Sequence, residues 1–180
     1  MSLLAIPIAA PAKRCGVANI EMGCQKIPVS KNISFHAGDI FKATQSEKFD
    51  LVLLIDVIEH VENPHQFLAN VKSIANNCFF HVPLDLSAMS VLLDYKLINV
   101  RRQVGHIHYF TKGLFLELLR ETGLKPLQVT YSDSWRDSPK KTLQTRVLNI
   151  IRFFIHLISP DLNARLLGAN TLFVLTQSNK

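Results

Sequence analysis

Phe49-Asp50-Leu51-Val52-Leu53-Leu54-Ile55-Asp56-Val57-Ile58-Glu59-His60-Val61 is the stretch on which the fold turns. The unbroken apolar run after Asp50 predicts a strand buried on both faces. It leads directly into three ionisable residues, Asp56, Glu59 and His60. These are expected near the carboxyl end of that strand, the edge at which open α/β sheets bind their ligands.

Working outward, Asn63-Pro64 supplies a cap and first-turn pair for a helix over His65–Ile74, whose Phe67, Leu68, Val71 and Ile74 recur at helical spacing. Cys15–Ile20 and Ile33–Ala37 predict two strands upstream, and Cys78–Val82 predicts one downstream, stopped by Pro83. A helix is expected from Thr111, with Leu114, Phe115, Leu118 and Leu119 on one face and Gly123 beyond its end. Strands follow at Pro126–Tyr131 and Thr171–Thr176, with a helix at Arg146–Ile158 between them. Alternating strands and helices predict an α/β class, a doubly wound and mostly parallel sheet, in one domain over residues 1–180.

Composition supports a packed domain. Of 180 residues, 48% are hydrophobic and 19% charged, which excludes a disordered chain. No apolar run approaches the roughly 20 residues of a membrane span, so the chain reads as soluble. Cys15, Cys24 and Cys78 form no C-x-x-C pair, and the apolar start at Met1–Ala10 lacks a leading positive charge and is interrupted by Pro7. Both features predict a reducing, cytoplasmic location. The net charge of +6 comes from scattered basic residues rather than a stripe, which argues against a nucleic-acid partner. Neither G-x-G-x-x-G nor a P-loop is present.

The segment from Phe49 to Val61, followed by Asn63-Pro64 and a helix, resembles the fourth-strand motif of class I S-adenosylmethionine-dependent methyltransferases. Ile33-Ser34-Phe35-His36-Ala37-Gly38-Asp39-Ile40 is similar to the third-strand motif of that family, and Gly105-His106-Ile107-His108-Tyr109-Phe110-Thr111 resembles the segment after its fifth strand in the small-molecule branch. The resemblance runs from about Gly16 to Gln177 and implies an antiparallel pair made by the last two strands. It also implies S-adenosylmethionine as cofactor. Asp39 would accept from the adenine amino group and the Ile40 amide would donate to a ring nitrogen. Asn19 and Glu21 compete for the ribose hydroxyls, and Asp56 is grouped with these cofactor contacts. The family's first strand and glycine-rich loop should precede Gly16, yet residues 1–15 contain no glycine. The domain is therefore expected to be truncated, with a central strand missing. Leu3–Ile8 is a candidate to fill the gap, opposed by Pro7, which has no donor for a central ladder.

For chemistry, the resemblance implies methyl transfer to an oxygen or nitrogen of a small-molecule acceptor. His60 is the first candidate for the general base, with His106 and His108 behind it. Glu59, Asp85 and Arg101 are candidates for holding the acceptor. Asp56-x-x-Glu59-His60 is also similar to a Glu-x-x-Glu-His motif that binds a divalent metal in two methyltransferase groups. With Asp at the first position, no metal is assigned. The Arg146–Ile158 helix is expected to pack on the core or as a lid, with membrane contact as its other reading. A noncatalytic methyltransferase-like fragment, acting as a binding or assembly module, is the alternative to an enzyme.

Overall fold

The computed structural model describes residues 2–6, 15–18, 33–36, 41, 48–132 and 142–178. Seven strands make one mixed sheet: β1 (Ser2–Ile6), β2 (Cys15–Ala18), β3 (Ile33–His36), β4 (Phe49–Ile55), β5 (Ala75–Leu84), β6 (Leu124–Ser132) and β7 (Asn170–Ser178), in the order β3-β2-β1-β4-β5-β7-β6. The helices are α1 (Pro64–Ile74), α2 (Ala88–Leu92), α3 (Tyr95–Val104), α4 (Lys112–Glu121), α5 (Leu143–Ile158) and α6 (Pro160–Leu167), and a 3-10 turn covers Ile58–His60.

The α/β expectation holds. Strand β2 pairs parallel with β3, and β4 with β5, while β7 runs antiparallel between β5 and β6. The centre differs from a doubly wound sheet. The place between β2 and β4, expected to lack its strand, holds β1, which runs antiparallel to both neighbours. It stops at Ile6, just before Pro7, as a central ladder requires of a residue with no amide donor. No glycine-rich turn follows it in the sequence.

Alternation along β4 and β5 fixes which side chains enter the core. Val52 and Leu54 pair with Cys78 and Phe80, and these pair onward with Thr176 and Val174, so one sheet face carries a continuous buried patch. Helices α1 and α4 contribute Leu68, Val71, Phe115 and Leu119 to the same core. Phe80 and Phe110 both meet the edge of the Phe115 ring, with centroids 5.4 and 5.5 Å away. Each such fully buried side chain stabilises the fold by about 1.5–3 kcal/mol relative to exposure. The other face is only half covered among the described residues: Leu51 and Leu53 are partly exposed and Ile55 is exposed. Full burial on both faces, expected for β4, is therefore not what the described residues provide.

Two boundaries move for a physical reason. Strand β5 passes through Pro83 to Leu84, because the β4 ladder ends at His81 and the proline lies where β5 has a single neighbour, β7. Pro126 sits on the edge strand β6 beside a bulge, where a missing donor costs least. Helix ends follow the expected chemistry: Asn63 accepts from the Gln66 amide at α1, and Thr111 from the Leu114 amide at α4.

Helix α5 departs further. Of its recurring polar residues, Arg152 is buried and Asn149 and His156 half-buried, with Arg146 exposed, while Val147, Ile150, Phe154, Leu157 and Ile158 are exposed. The expected packing of its apolar face on the core is thus reversed. No helix among the described residues is long and apolar enough to cross a membrane.

Candidate functional site

The chain leaves β4 through Asp56, whose φ of +51° lies in the left-handed region. Aspartate enters that region at less cost than most side chains. The turn is held by β5, since the Asp56 amide donates to the His81 carbonyl at 3.1 Å and His81 Nδ1 donates to Asp56 Oδ1 at 2.7 Å. His81 is therefore a satisfied sheet histidine, as its setting in the sequence suggests. The Asp56 carboxylate remains half exposed at the carboxyl edge of the sheet.

The following 3-10 turn carries Glu59 inward. Its side chain is 0% exposed, and neither carboxylate oxygen has a hydrogen-bond partner among the described residues. Burial raises its pKa to about 7, and the nearby carboxylates of Asp56 and Asp85 push the same way. The Glu59 carbonyl meanwhile accepts from the amides of Ile107 and His108, at 2.9 and 3.1 Å, which draws the loop after α3 over the turn.

That loop delivers the second half of the site. Gly105 ends α3 with φ +81°, a conformation that few side chains adopt, and its carbonyl accepts from His60 Nδ1 at 3.1 Å. His106 Nδ1 donates to Asp85 Oδ2 at 2.6 Å, just past β5. In both rings the proton is committed to Nδ1 by an acceptor-only partner, which leaves the Nε2 lone pair available. His106 Nε2 stands 3.9 Å from Glu59 Oε1, and the two imidazoles meet edge to face at 4.9 Å. Glu59, His60, His106 and Asp85 thus converge.

Glu59, His60 and His106 each offer a metal-ligand atom within 4.8 Å of the others. Asp56 is outside that trio, hydrogen-bonded to His81, so of the Asp56-x-x-Glu59-His60 motif only Glu59 and His60 come together here.

Other expected residues fall elsewhere. His108 contributes its backbone amide, and its buried Nε2 has no partner among the described residues. Arg101 is exposed on the last turn of α3 and does not line the adjoining cavity. That cavity, about 180 Å³, is bounded by Asp85, Ser87, Lys96, Arg152 and Gly168. Lys96 and Arg152 carry no local motif, and only tertiary packing puts them beside Asp85. Asn19, Glu21, Asp39 and Ile40 lie outside the described residues.

Comparison with known proteins now bears on this geometry. Residues 7–129 match the model of a family described as a methyltransferase domain, more than half of the 180 residues. The chain belongs to that methyltransferase-domain family. A SAM-dependent methyltransferase from Archaeoglobus fulgidus superposes with a TM-score of 0.52 at 16% identity, over 89% of this chain and 74% of that one. A provisionally assigned methyltransferase from Bacillus halodurans C-125 gives 0.52 at 16% identity, over 84% and 74%. A Haloferax volcanii methyltransferase, also provisionally assigned and solved with the Trm112 methyltransferase activator, gives 0.54 at 14% identity, over 84% of this chain and 64% of that one, just under two thirds of its length. These similarities are of fold. No curated protein matches the sequence.

Within a methyltransferase domain, the carboxyl edge of β4 and β5 is where Asp56, Glu59, His60, Asp85 and His106 collect. The described groups there are carboxylates and imidazoles. On charge, that donor set fits a cationic sulfonium cofactor.

Proposed function

We propose that this methyltransferase domain transfers a methyl group from S-adenosylmethionine to an oxygen or nitrogen of a small-molecule acceptor, with His106 as the general base. The observation that carries the assignment is the Asp85–His106 hydrogen bond of 2.6 Å, made beside a buried carboxyl at the ligand-binding edge of the sheet. S-adenosylmethionine supplies a methyl group on a positively charged sulfur. The protein's own task is then to hold the acceptor in line and remove its proton.

His106 is suited to that task. Asp85 fixes its tautomer and stabilises the imidazolium that forms when Nε2 takes the acceptor's proton, the orienting role a carboxylate plays in a catalytic triad. His60 is held by a backbone carbonyl, which orients the ring without offering a charge to the imidazolium. It packs against His106 and supports its position. Glu59, its pKa raised by burial to about 7, is only partly ionised at neutral pH and so competes less with Asp85 than an ordinary carboxylate would. Asp56, half exposed at the same edge, stays with Asn19, Glu21, Asp39 and Ile40 among the sequence-based candidates for cofactor contact.

The test is calorimetric titration with S-adenosylhomocysteine, followed by transfer of labelled methyl to a panel of hydroxyl- and amine-bearing acids and phosphates. Binding, with transfer lost in His106→Ala and retained in His108→Ala, is the expected result. Absence of both binding and transfer would replace the enzyme with a noncatalytic module of methyltransferase shape.

A further inference from the structure

The cavity beside Asp85 is built around a cation, Arg152, that has no counter-ion among the described residues. Arg152 is 7% exposed. Its guanidinium donates to Asn149 Oδ1 at 3.0 Å and to the Leu167 carbonyl at 3.1 Å, both neutral, and Nε has no partner among the described residues. Lys96 lines the same space, and among the described residues its ammonium is engaged by Met89 Sδ, at 3.0 Å. The one carboxylate of the lining, Asp85, is already committed to His106.

Two neighbouring cations whose nearest lining carboxylate is already committed elsewhere are an unfavourable arrangement. Desolvating a charge costs several kcal/mol unless a partner compensates it. Burial lowers the pKa of Lys96, with the Arg152 charge adding to the effect, and burial alone lowers that of Arg152. A guanidinium is planar and presents paired donors that match the two oxygens of a carboxylate or phosphate. At roughly 30 Å³ per water molecule, the cavity has room for such a group and a short stem.

Resting on the methyltransferase reading, we infer that Arg152 and Lys96 form an oxyanion subsite that holds a carboxylate or phosphate of the methyl acceptor. The shared boundary residue is Asp85. An acceptor anchored at Arg152 therefore extends past Asp85 and presents its nucleophile to His106. The domain selects anionic acceptors, and the anion enters as the counter-ion that the described residues do not supply.

The inference is tested by thermal unfolding in sodium phosphate and in sodium acetate, each against sodium chloride at matched ionic strength. The probes are the inorganic or simple anions themselves. At about tenfold excess over Kd, a bound anion raises Tm by roughly 3–6 °C. That rise is expected in the wild-type chain and in Arg101→Met, whose side chain is exposed and off the cavity. It should vanish in Arg152→Met and shrink in Lys96→Met. Arg152→Met without anion should melt no lower than wild type, since it removes an uncompensated buried charge. If Arg152→Met fails to fold, Lys96→Met carries the test. Phosphate and acetate arms identify which oxyanion the subsite accepts. No response beyond chloride, or equal loss in Arg101→Met, overturns the inference. Binding of S-adenosylhomocysteine to the same preparations reports on the cofactor separately, so loss of one result does not imply loss of the other.

Discussion

Replacing Glu59 with glutamine should flatten the pH dependence of stability. The side chain is fully buried, its oxygens lack partners among the described residues, and its pKa rises from 4.5 to about 7. The folded chain therefore holds this proton more tightly than the unfolded chain does. Stability from this group is greatest below the unfolded value near 4.5, declines as pH rises toward 7 and levels off above it. Each tenfold difference in proton affinity between the folded and unfolded chain is worth about 1.4 kcal/mol, so the loss across that window is roughly 3 kcal/mol. Glutamine resembles the protonated acid in shape and hydrogen-bonding demand. Glu59→Gln should therefore match wild type at about pH 4.5 and exceed it by up to roughly 3 kcal/mol at about pH 8. Urea denaturation across this range, with EDTA present so that the Glu59–His60–His106 trio is read only as proton sites, measures both curves. Parallel curves for the two proteins would refute the reasoning.

Asp85→Asn should lower methyl transfer by roughly 10²–10⁴-fold through loss of the His106 orientation, while Tm and S-adenosylhomocysteine affinity stay near wild type. Gly168→Ala should destabilise the fold by about 1–3 kcal/mol, measurable in thermal unfolding, because Gly168 has φ +67° and an added Cβ would lie 2.9 Å from Ser87 Oγ. The Cys78 thiol, pushed up to about 12 by burial, should resist alkylation at neutral pH until denaturant is added, as read by peptide mass spectrometry. Phe154→Ser, at an exposed position, should change stability by less than about 0.5 kcal/mol, whereas Phe115→Ala should cost about 3–5 kcal/mol; paired urea titrations compare them.

The legible parts of this chain are those set by neighbours in sequence. Leu51–Ile55 is an apolar run bounded by Asp50 and Asp56, and it lies within strand β4, whose expected range Phe49–Ile55 is the observed one. Asn63-Pro64 and Thr111 announce helix starts because capping is a contact across three residues. Helix α3 lacks the capping signal: Asp94 before it makes no side-chain cap bond, and the helix buries none of its residues. Pro83 misleads as a stop signal because whether a strand tolerates proline depends on where the next strand ends. The direction of β1 depends on its partners β2 and β4, and no local pattern encodes it. In the site, Glu59 and His60 are legible as a cluster at a strand end. The Asp85–His106 pair spans 21 residues and forms only when Gly105 turns α3 back toward the 3-10 turn. Sequence therefore ranks His60 first as the base, while the carboxylate partner that favours His106 is a product of the fold.

Helix α5 carries the same lesson to its energetic end. The spacing of Asn149, Arg152 and His156 fixes that they share a face, but not whether that face turns toward solvent or protein. Turning it inward exposes Phe154, Leu157 and Ile158 and buries a guanidinium, two changes that each oppose stability. Among the described residues Arg152 gains one side-chain oxygen and one carbonyl, which take up part of its hydrogen bonding but bring no charge. An arrangement unfavourable on both counts is understandable if the charge that the described residues do not provide is supplied from outside, by an anion at the cavity that Arg152 borders. On that argument the inverted helix is what places a cation next to Asp85, and an ordinary amphipathic orientation would have sent Arg152 into solvent and left the acceptor without an anchor.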